Sequence, residues 1–396
     1  MGHAKPVGAD AVIGNKPIAT QHLFYELNWS NPAMVLRSAH APTVCNCMRT
    51  FSLCAVLVAL CLRAQAEPFK IFVAGDGRAD YPDASDPAHA LSPRPEDKNG
   101  IDQCTVADIS AAAVKEKPDL FLWTGDIVNV NYMTGSEPGE KSKFFKGGLD
   151  AWFKAMEPVY QNHIKVLPTR GNHEVVWYDE KHKPHPLNDA EKIWKDAFSG
   201  RHALPQETVF DNNQLSFYYA QGPVLLIGLD QYERNYDDHH VNQQWLNDVL
   251  NKNKKPFIFA FGHEEAFATS TNHPATDTLA AHREERDKMC KALGDAGAQV
   301  YLCGHDHFYD RMLATWSKGN CKIRQVAAGT AGAPFYAKTD YPGENDWTLK
   351  QERHFDSVYG YLLISLDGNT ATIEFKGRNL CGYETRDSFS YKVDAP

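Results

Sequence analysis

After residue 62 the chain has no apolar run approaching the roughly 20 residues a spanning helix needs, so no stable membrane insertion is expected of residues 67–396. Positive charge is also scarce. Lys and Arg number 41 against 50 Asp and Glu, a formal net charge of −9, which argues against a general electrostatic grip on nucleic acid or anionic lipid while leaving room for a local cationic pocket. No nucleic-acid binding is expected. Residues 67–396 contain no CxxC pair, which argues against a cysteine-built metal site. No internal repeat or linker interrupts 67–390, so a single domain is the simplest organisation. The remaining composition, 43% hydrophobic, 23% charged and 11% aromatic, is that of a globular protein.

The first 66 residues differ from the rest. Met48-Arg49 opens a short basic region, an apolar run extends from Phe51 to Leu62, and Ala64-Gln65-Ala66 supplies a small-x-small cleavage site before Glu67. This pattern predicts a signal peptide over 48–66 and export to the periplasm or outside. Its apolar run is too short for a membrane anchor. Residues 1–47 show no sustained periodicity and read as a disordered, non-native upstream extension. The predicted mature domain is 67–396. Of nine cysteines, Cys104, Cys290, Cys303, Cys321 and Cys381 belong to it, an odd number that leaves at least one unpaired. Cys303 lies in an apolar run and reads as a buried thiol, while one or two disulfides among the others fit an oxidising compartment.

Short apolar runs punctuated by Gly dominate the mature segment. Phe69 to Ala74, Leu120 to Trp123, Ile164 to Pro168, Pro256 to Phe261 and Gln299 to Cys303 read as buried strands. Helical periodicity fits Thr105 to Lys117, Gly148 to Gln161, Ala190 to Phe198, Trp245 to Leu250 and Arg283 to Ala296. Ser216 to Ala220 with Val224 to Leu229 suggests a hairpin. Ile323 to Ala328, Tyr359 to Leu366 and Thr370 to Gly377 complete the strands, and Asp80 to Gly100, Asn131 to Gly147 and Glu180 to Asp189 read as loops. Helices alternating with strands in the first half imply parallel pairing, and consecutive strands in the second imply antiparallel additions. The architecture expected is mixed α/β.

Each buried strand ends in a polar cluster. Asp76 follows Gly75, Asp126 follows Gly125, Asn172-His173-Glu174 follow Gly171, His263 follows Gly262, and His305-Asp306-His307 follow Gly304. Strand ends converge at one edge of α/β sheets, where sites form. Two cations set about 3.5–4 Å apart can clamp the attacking and leaving oxygens of an in-line displacement. Such a pair needs a bridging carboxylate, for which Asp126 is the candidate. The mixed imidazole and oxygen donors favour Zn, Mn, Fe or Co over Mg or Ca.

These five clusters, in this order over roughly residues 69–378, resemble the calcineurin-like metallophosphoesterase superfamily, which includes the purple acid phosphatases. The resemblance implies a four-layer αββα sandwich of two mixed β-sheets flanked by helices. It also implies two divalent or trivalent metal ions, one held by Asp76, Asp126 and His307 and the other by Asp126, Asn172, His263 and His305. A metal-bridging hydroxide would attack phosphorus, and His173 would protonate the leaving group of a small phosphorylated substrate. The chain departs from the family at its first motif. Most members read Asp-x-His there, and purple acid phosphatases instead recruit a Tyr three residues after the bridging Asp. Here Arg78 and Asn129 hold those positions, as in a bacterial exported subgroup reading Gly-Asp-x-Arg. A guanidinium beside the metals could fork two phosphate oxygens, which assigns Arg78 to substrate binding.

Added positive charge at Arg78 favours phosphomonoesters over phosphodiesters. The alternatives are a phosphodiesterase, a pyrophosphate-bond hydrolase, and a catalytically silent binding protein on the same fold. His182 and His185 read as part of a solvated lid, and His239, His240 and His273 read similarly. Glu174 and Glu264 are expected to orient neighbouring imidazoles or to face solvent. Oligomeric state leaves no mark on the sequence.

Overall fold

The structure, a computed structural model, describes residues 68–79, 99–132, 137–179, 181, 183–233, 235–270, 272–337, 344 and 346–394. The expected signal peptide, the upstream extension, His182 and most of the 80–100 loop lie outside the described residues. Two mixed sheets carry the described part of the chain. The first contains β1 (Phe69–Ala74), β2 (Leu120–Thr124), β3 (Lys165–Thr169), β14 (Gly360–Asp367), β15 (Thr370–Asn379) and β16 (Gly382–Lys392), in the order β16-β15-β14-β1-β2-β3. The second contains β6 (Val209–Phe210), β7 (Phe217–Gln221), β8 (Val224–Gly228), β9 (Phe257–Phe261), β10 (Val300–Cys303), β11 (Tyr309–Trp316), β12 (Lys322–Ala328) and β13 (Trp347–Phe355), in the order β13-β11-β12-β10-β9-β8-β7-β6. A small ribbon pairs β4 (Val176–Tyr178) with β5 (Pro184–Pro186). In the first sheet β1, β2 and β3 run parallel; in the second β8, β9, β10 and β12 do.

Alternation along the strands builds the layers. Ile71 and Val73 of β1 point into a core shared with Phe257, Phe259 and Phe261 of β9 and Leu362 and Ile364 of β14, which glues the sheets face to face. The intervening Phe72 and Ala74 point outward, against Ile109 and Ala113 of helix α1 (Gln103–Glu116) and Trp152 and Met156 of helix α2 (Pro138–Gln161). Trp194 of helix α3 (Ala190–Ala197) joins the same cluster. On the far side, Ile258 and Ala260 meet Leu246 and Val249 of helix α4 (Gln243–Lys252) and Met289 and Leu293 of helix α5 (Arg283–Asp295). Strands buried on both faces read as continuous apolar runs, which is why these were visible in sequence. The expected four-layer αββα sandwich is what forms.

Two expected loops contain structure. Helix α2 begins at Pro138, ten residues before the predicted start, because the Gly147-Gly148 pair mimics a helix stop. Gly148 serves packing: a Cβ there would stand 2.4 Å from Val128 Cγ1. Pro138 occupies the first turn, where its missing N–H costs nothing. Within the 180–189 segment, β5 pairs with β4. The edge strands β13 and β16 were not expected, since β13 is mostly half-buried, β16 is mostly exposed, and neither offers an apolar run.

Candidate active site

Five loops leave the carboxyl ends of β1, β2, β3, β9 and β10 and meet at one edge of the sandwich. Three of the meeting residues have left-handed backbone: Asp76 (φ 59°), Asp126 (φ 53°) and His305 (φ 70°). Such geometry is uncommon outside glycine and concentrates at functional sites. The chain turns sharply there, so side chains following a strand swing back across its end. His305 and His307 would diverge on a regular strand, and the turn at His305 lets both face the cluster.

Backbone carbonyls fix the imidazoles. A carbonyl only accepts, so the ring nitrogen against it must carry the proton, and the other nitrogen keeps its lone pair. His263 donates from Nδ1 to Thr124 O (2.8 Å), His305 from Nε2 to Asp277 O (2.9 Å), and His307 from Nδ1 to Pro334 O (2.7 Å). Consequently His263 Nε2 and His305 Nδ1 face each other at 3.0 Å as two lone pairs. Asn172 Oδ1 lies 3.0 Å and Asp126 Oδ1 3.3 Å from the same His263 nitrogen. All four atoms are acceptors. Protonation at His305 does not relieve the crowding, because burial and the neighbouring His273 and His263 hold that imidazole well below the ordinary range. A cation does relieve it, and two imidazoles, a carboxylate and a carboxamide oxygen suit a borderline transition metal.

Asp76, Asp126 and His307 form a second group, with ligand atoms within 4.8 Å of one another. Arg78 stands among them, only 2% exposed. Its Nε donates to Asp126 Oδ2 at 3.0 Å, and its Nη2 lies 3.1 Å from His307 Nε2 and 3.2 Å from the Tyr336 hydroxyl. Its guanidinium thus reaches into the cluster and binds the carboxylate and imidazole there. Against the penalty of burial, His263, His173 and Arg78 hold Asp126 down at about 2. Burial, followed by the charge of Asp126, pushes Asp76 well above its usual range.

His173 sits at the rim, its side chain 13% exposed and its Nε2 3.9 Å from Asp126 Oδ2. Its Nδ1 lies 3.0 Å from Asn129 Oδ1, and its backbone N–H donates to Asp126 Oδ1 at 3.1 Å. Glu174 is fully buried and accepts from the backbone of Asp126 (2.9 Å), Val128 (2.9 Å) and Gly171 (2.6 Å). It braces two loops against each other; the expected role orienting an imidazole does not hold, because its oxygens are spent on amides.

A family model described as calcineurin-like phosphoesterase matches residues 101–309, more than half of the 396-residue chain. The chain belongs to the calcineurin-like phosphoesterase family. It is accordingly a phosphoester hydrolase. The matched stretch includes every cluster except the first, which holds Asp76 and Arg78. Among solved structures, the fold is similar to the purple acid phosphatase PPD1 from yellow lupin (Lupinus luteus) seeds, at TM-score 0.57 and 14% identity over 83% of this chain and 54% of that one. It is also similar to PhoD, at TM-score 0.54 and 12% identity over 84% and 71% of the two chains. A dimetal phosphatase from Danio rerio matches at TM-score 0.52 and 14% identity, over 83% and 100%. At these identities the likeness is one of fold, and this chain spans about half the length of the lupin chain. No curated protein sequence matches.

The phosphoesterase recruits residues that sequence reasoning passed over. His273, expected to be solvated, is buried; its ring stacks on His305 with centroids 3.6 Å apart, and its Nδ1 lies 3.1 Å from Asp306. Asp306 also accepts from Thr269 (2.8 Å) and Ser270 (2.6 Å). His273, Asp277 and His305 make a further group able to hold a metal. His239, also expected in solvent, is buried and lies 2.8 Å from Glu264, which therefore does not orient His263. Tyr336 stacks on His307 with centroids 3.9 Å apart. None of these contacts has a local sequence signature, because each joins segments far apart in the chain. Among the described residues Cys104, Cys290, Cys303, Cys321 and Cys381 are free thiols, so the expected disulfides do not form, and Cys303 is buried as expected.

Proposed function

We propose that this phosphoesterase hydrolyses small phosphomonoesters with a resident transition metal, Fe, Mn, Zn or Co, held by Asp126, Asn172, His263 and His305. One observation carries the reading: three acceptor atoms crowd the His263 Nε2 lone pair, with no donor among the four, beside a rim histidine. A metal bound there supplies a Lewis acid and lowers the pKa of water enough to furnish hydroxide at neutral pH.

The remaining steps fall to the protein. Asn129 accepts from His173 Nδ1, which leaves Nε2 to deliver a proton to the departing oxygen at the open rim. Arg78 adds a fixed positive charge beside the carboxylates and favours a dianionic monoester over a monoanionic diester. The tripartite segment at residues 48–66 supports export, with a mature chain beginning at Glu67.

Asp126→Asn tests the reading, since the amide keeps the shape but loses the charge. Metal content by elemental analysis and turnover of an aryl phosphate should fall together, turnover by two orders of magnitude or more, roughly what loss of a key electrostatic group costs. Full metal content and full turnover in Asp126→Asn would refute the assignment.

A further inference from the structure

The first motif departs from the family at Arg78, and the structure shows where that side chain goes. Its Nε is 3.0 Å from Asp126 Oδ2 and its Nη2 is 3.1 Å from His307 Nε2. These are the arms that Asp126 and His307 would extend to a cation beside Asp76. His307 has no other arm, because Nδ1 is committed to Pro334 O at 2.7 Å. Asp126 turns its other oxygen toward His263, at 3.3 Å, and accepts the His173 N–H with it at 3.1 Å.

Arg78 is also held in this position. Its backbone forms an antiparallel bridge with Ile101, and Ala79 N–H donates to Gly100 O at 3.1 Å. Tyr336, stacked on His307, meets Nη2 at 3.2 Å. The position that could have supplied a Tyr ligand is Asn129, whose oxygen lies against His173. A metal beside Asp76 would thus have three protein ligands, two already bonded to a guanidinium, and a positive charge within contact distance.

We infer that the Arg78 guanidinium takes the place of one of the family's two cations, so that the chain binds a single divalent transition metal next to a built-in organic cation. The inference rests on the metal-dependent reading above and goes beyond it in fixing the number of metals. A guanidinium is always charged and forks planar acceptors, so it balances Asp76 and Asp126 without exchange or loss. It cannot activate water, which leaves that task to the metal at His263 and His305.

The test is metal stoichiometry. The full mature chain, stripped with chelator, is equilibrated with saturating Mn(II), separated from free ion and analysed for metal per chain. Wild type should hold one Mn, with the electron paramagnetic resonance hyperfine pattern of an isolated ion. Arg78→His, which writes Asp-x-His into the first motif, should roughly double the metal content and give the spectrum of an exchange-coupled pair. Two Mn per wild-type chain, or a coupled-pair spectrum from wild type, would overturn the inference. The wild-type spectrum decides the matter even if the variant fails to fold. Aryl phosphate turnover on the same wild-type samples separates the two readings. Turnover with one metal supports both, turnover with two overturns the arginine assignment alone, and one metal with no turnover toward any ester overturns the hydrolase reading alone.

Discussion

The Asn129 carboxamide oxygen meets two nitrogens. This Oδ1 lies 3.0 Å from His173 Nδ1 and accepts the Asn131 N–H at 2.9 Å, so one carboxamide ties the rim histidine to the loop that carries Asp126. Asn129→Ala should free the His173 ring and slow hydrolysis on the order of 10-fold, as losses of orienting partners do. His173→Ala should cost more, roughly 10²- to 10⁴-fold, chiefly on esters with poor leaving groups. Steady-state rates over a series of phenols measure both. If Asn129→Ala changed rate on activated and unactivated esters alike, orientation of a proton donor would not be its role. At this scale the sequence was readable where residue type and strand-end position coincide, as at Asp76, Asp126, Asn172, His263, His305 and His307, which all meet at the site. It was unreadable where a residue's partner is remote. Glu174 next to His173 suggested an imidazole partner, and only the fold brings it to three backbone amides.

Helix α2 shows how an element positions chemistry without touching it. Gly148 lets the helix lie against the loop after β2, where a Cβ would meet Val128 Cγ1 at 2.4 Å and Asn99 O at 2.7 Å. Gly148→Ala gains helix propensity but must displace backbone and a buried side chain. Overpacking of this kind costs about 1–3 kcal/mol, against about 1 kcal/mol gained on removing a helical glycine. Denaturant unfolding should therefore show net destabilisation, with hydrolysis also reduced because Asn129 is the next residue along. An unchanged or raised midpoint would mean that the loop yields freely. The helix core, Leu149 to Val159, was legible through its apolar face. Its N-terminal extension was not, because the glycines that permit close packing read as a stop, and the edge strands β13 and β16 lack the run that marked the buried strands.

The described part of the chain is carried by two main sheets whose parallel strand ends deliver one cluster, and no described helix is long and apolar enough to cross a membrane. The proposed export is tested on the chain as a whole. If residues 48–66 are removed on secretion, intact mass of the exported protein should correspond to a start at Glu67; a mass retaining this segment would contradict the proposal. Metal-dependent hydrolysis favouring monoesters is measured on purified residues 67–396 with an aryl phosphate monoester and a diester. The chain is assayed as isolated, after chelation, and after refilling with Mn, Zn or Fe. Chelation should abolish turnover, at least one metal should restore it, and the monoester should be the faster substrate. Undiminished hydrolysis after the metal is gone, or none with any refill, would contradict the proposed function.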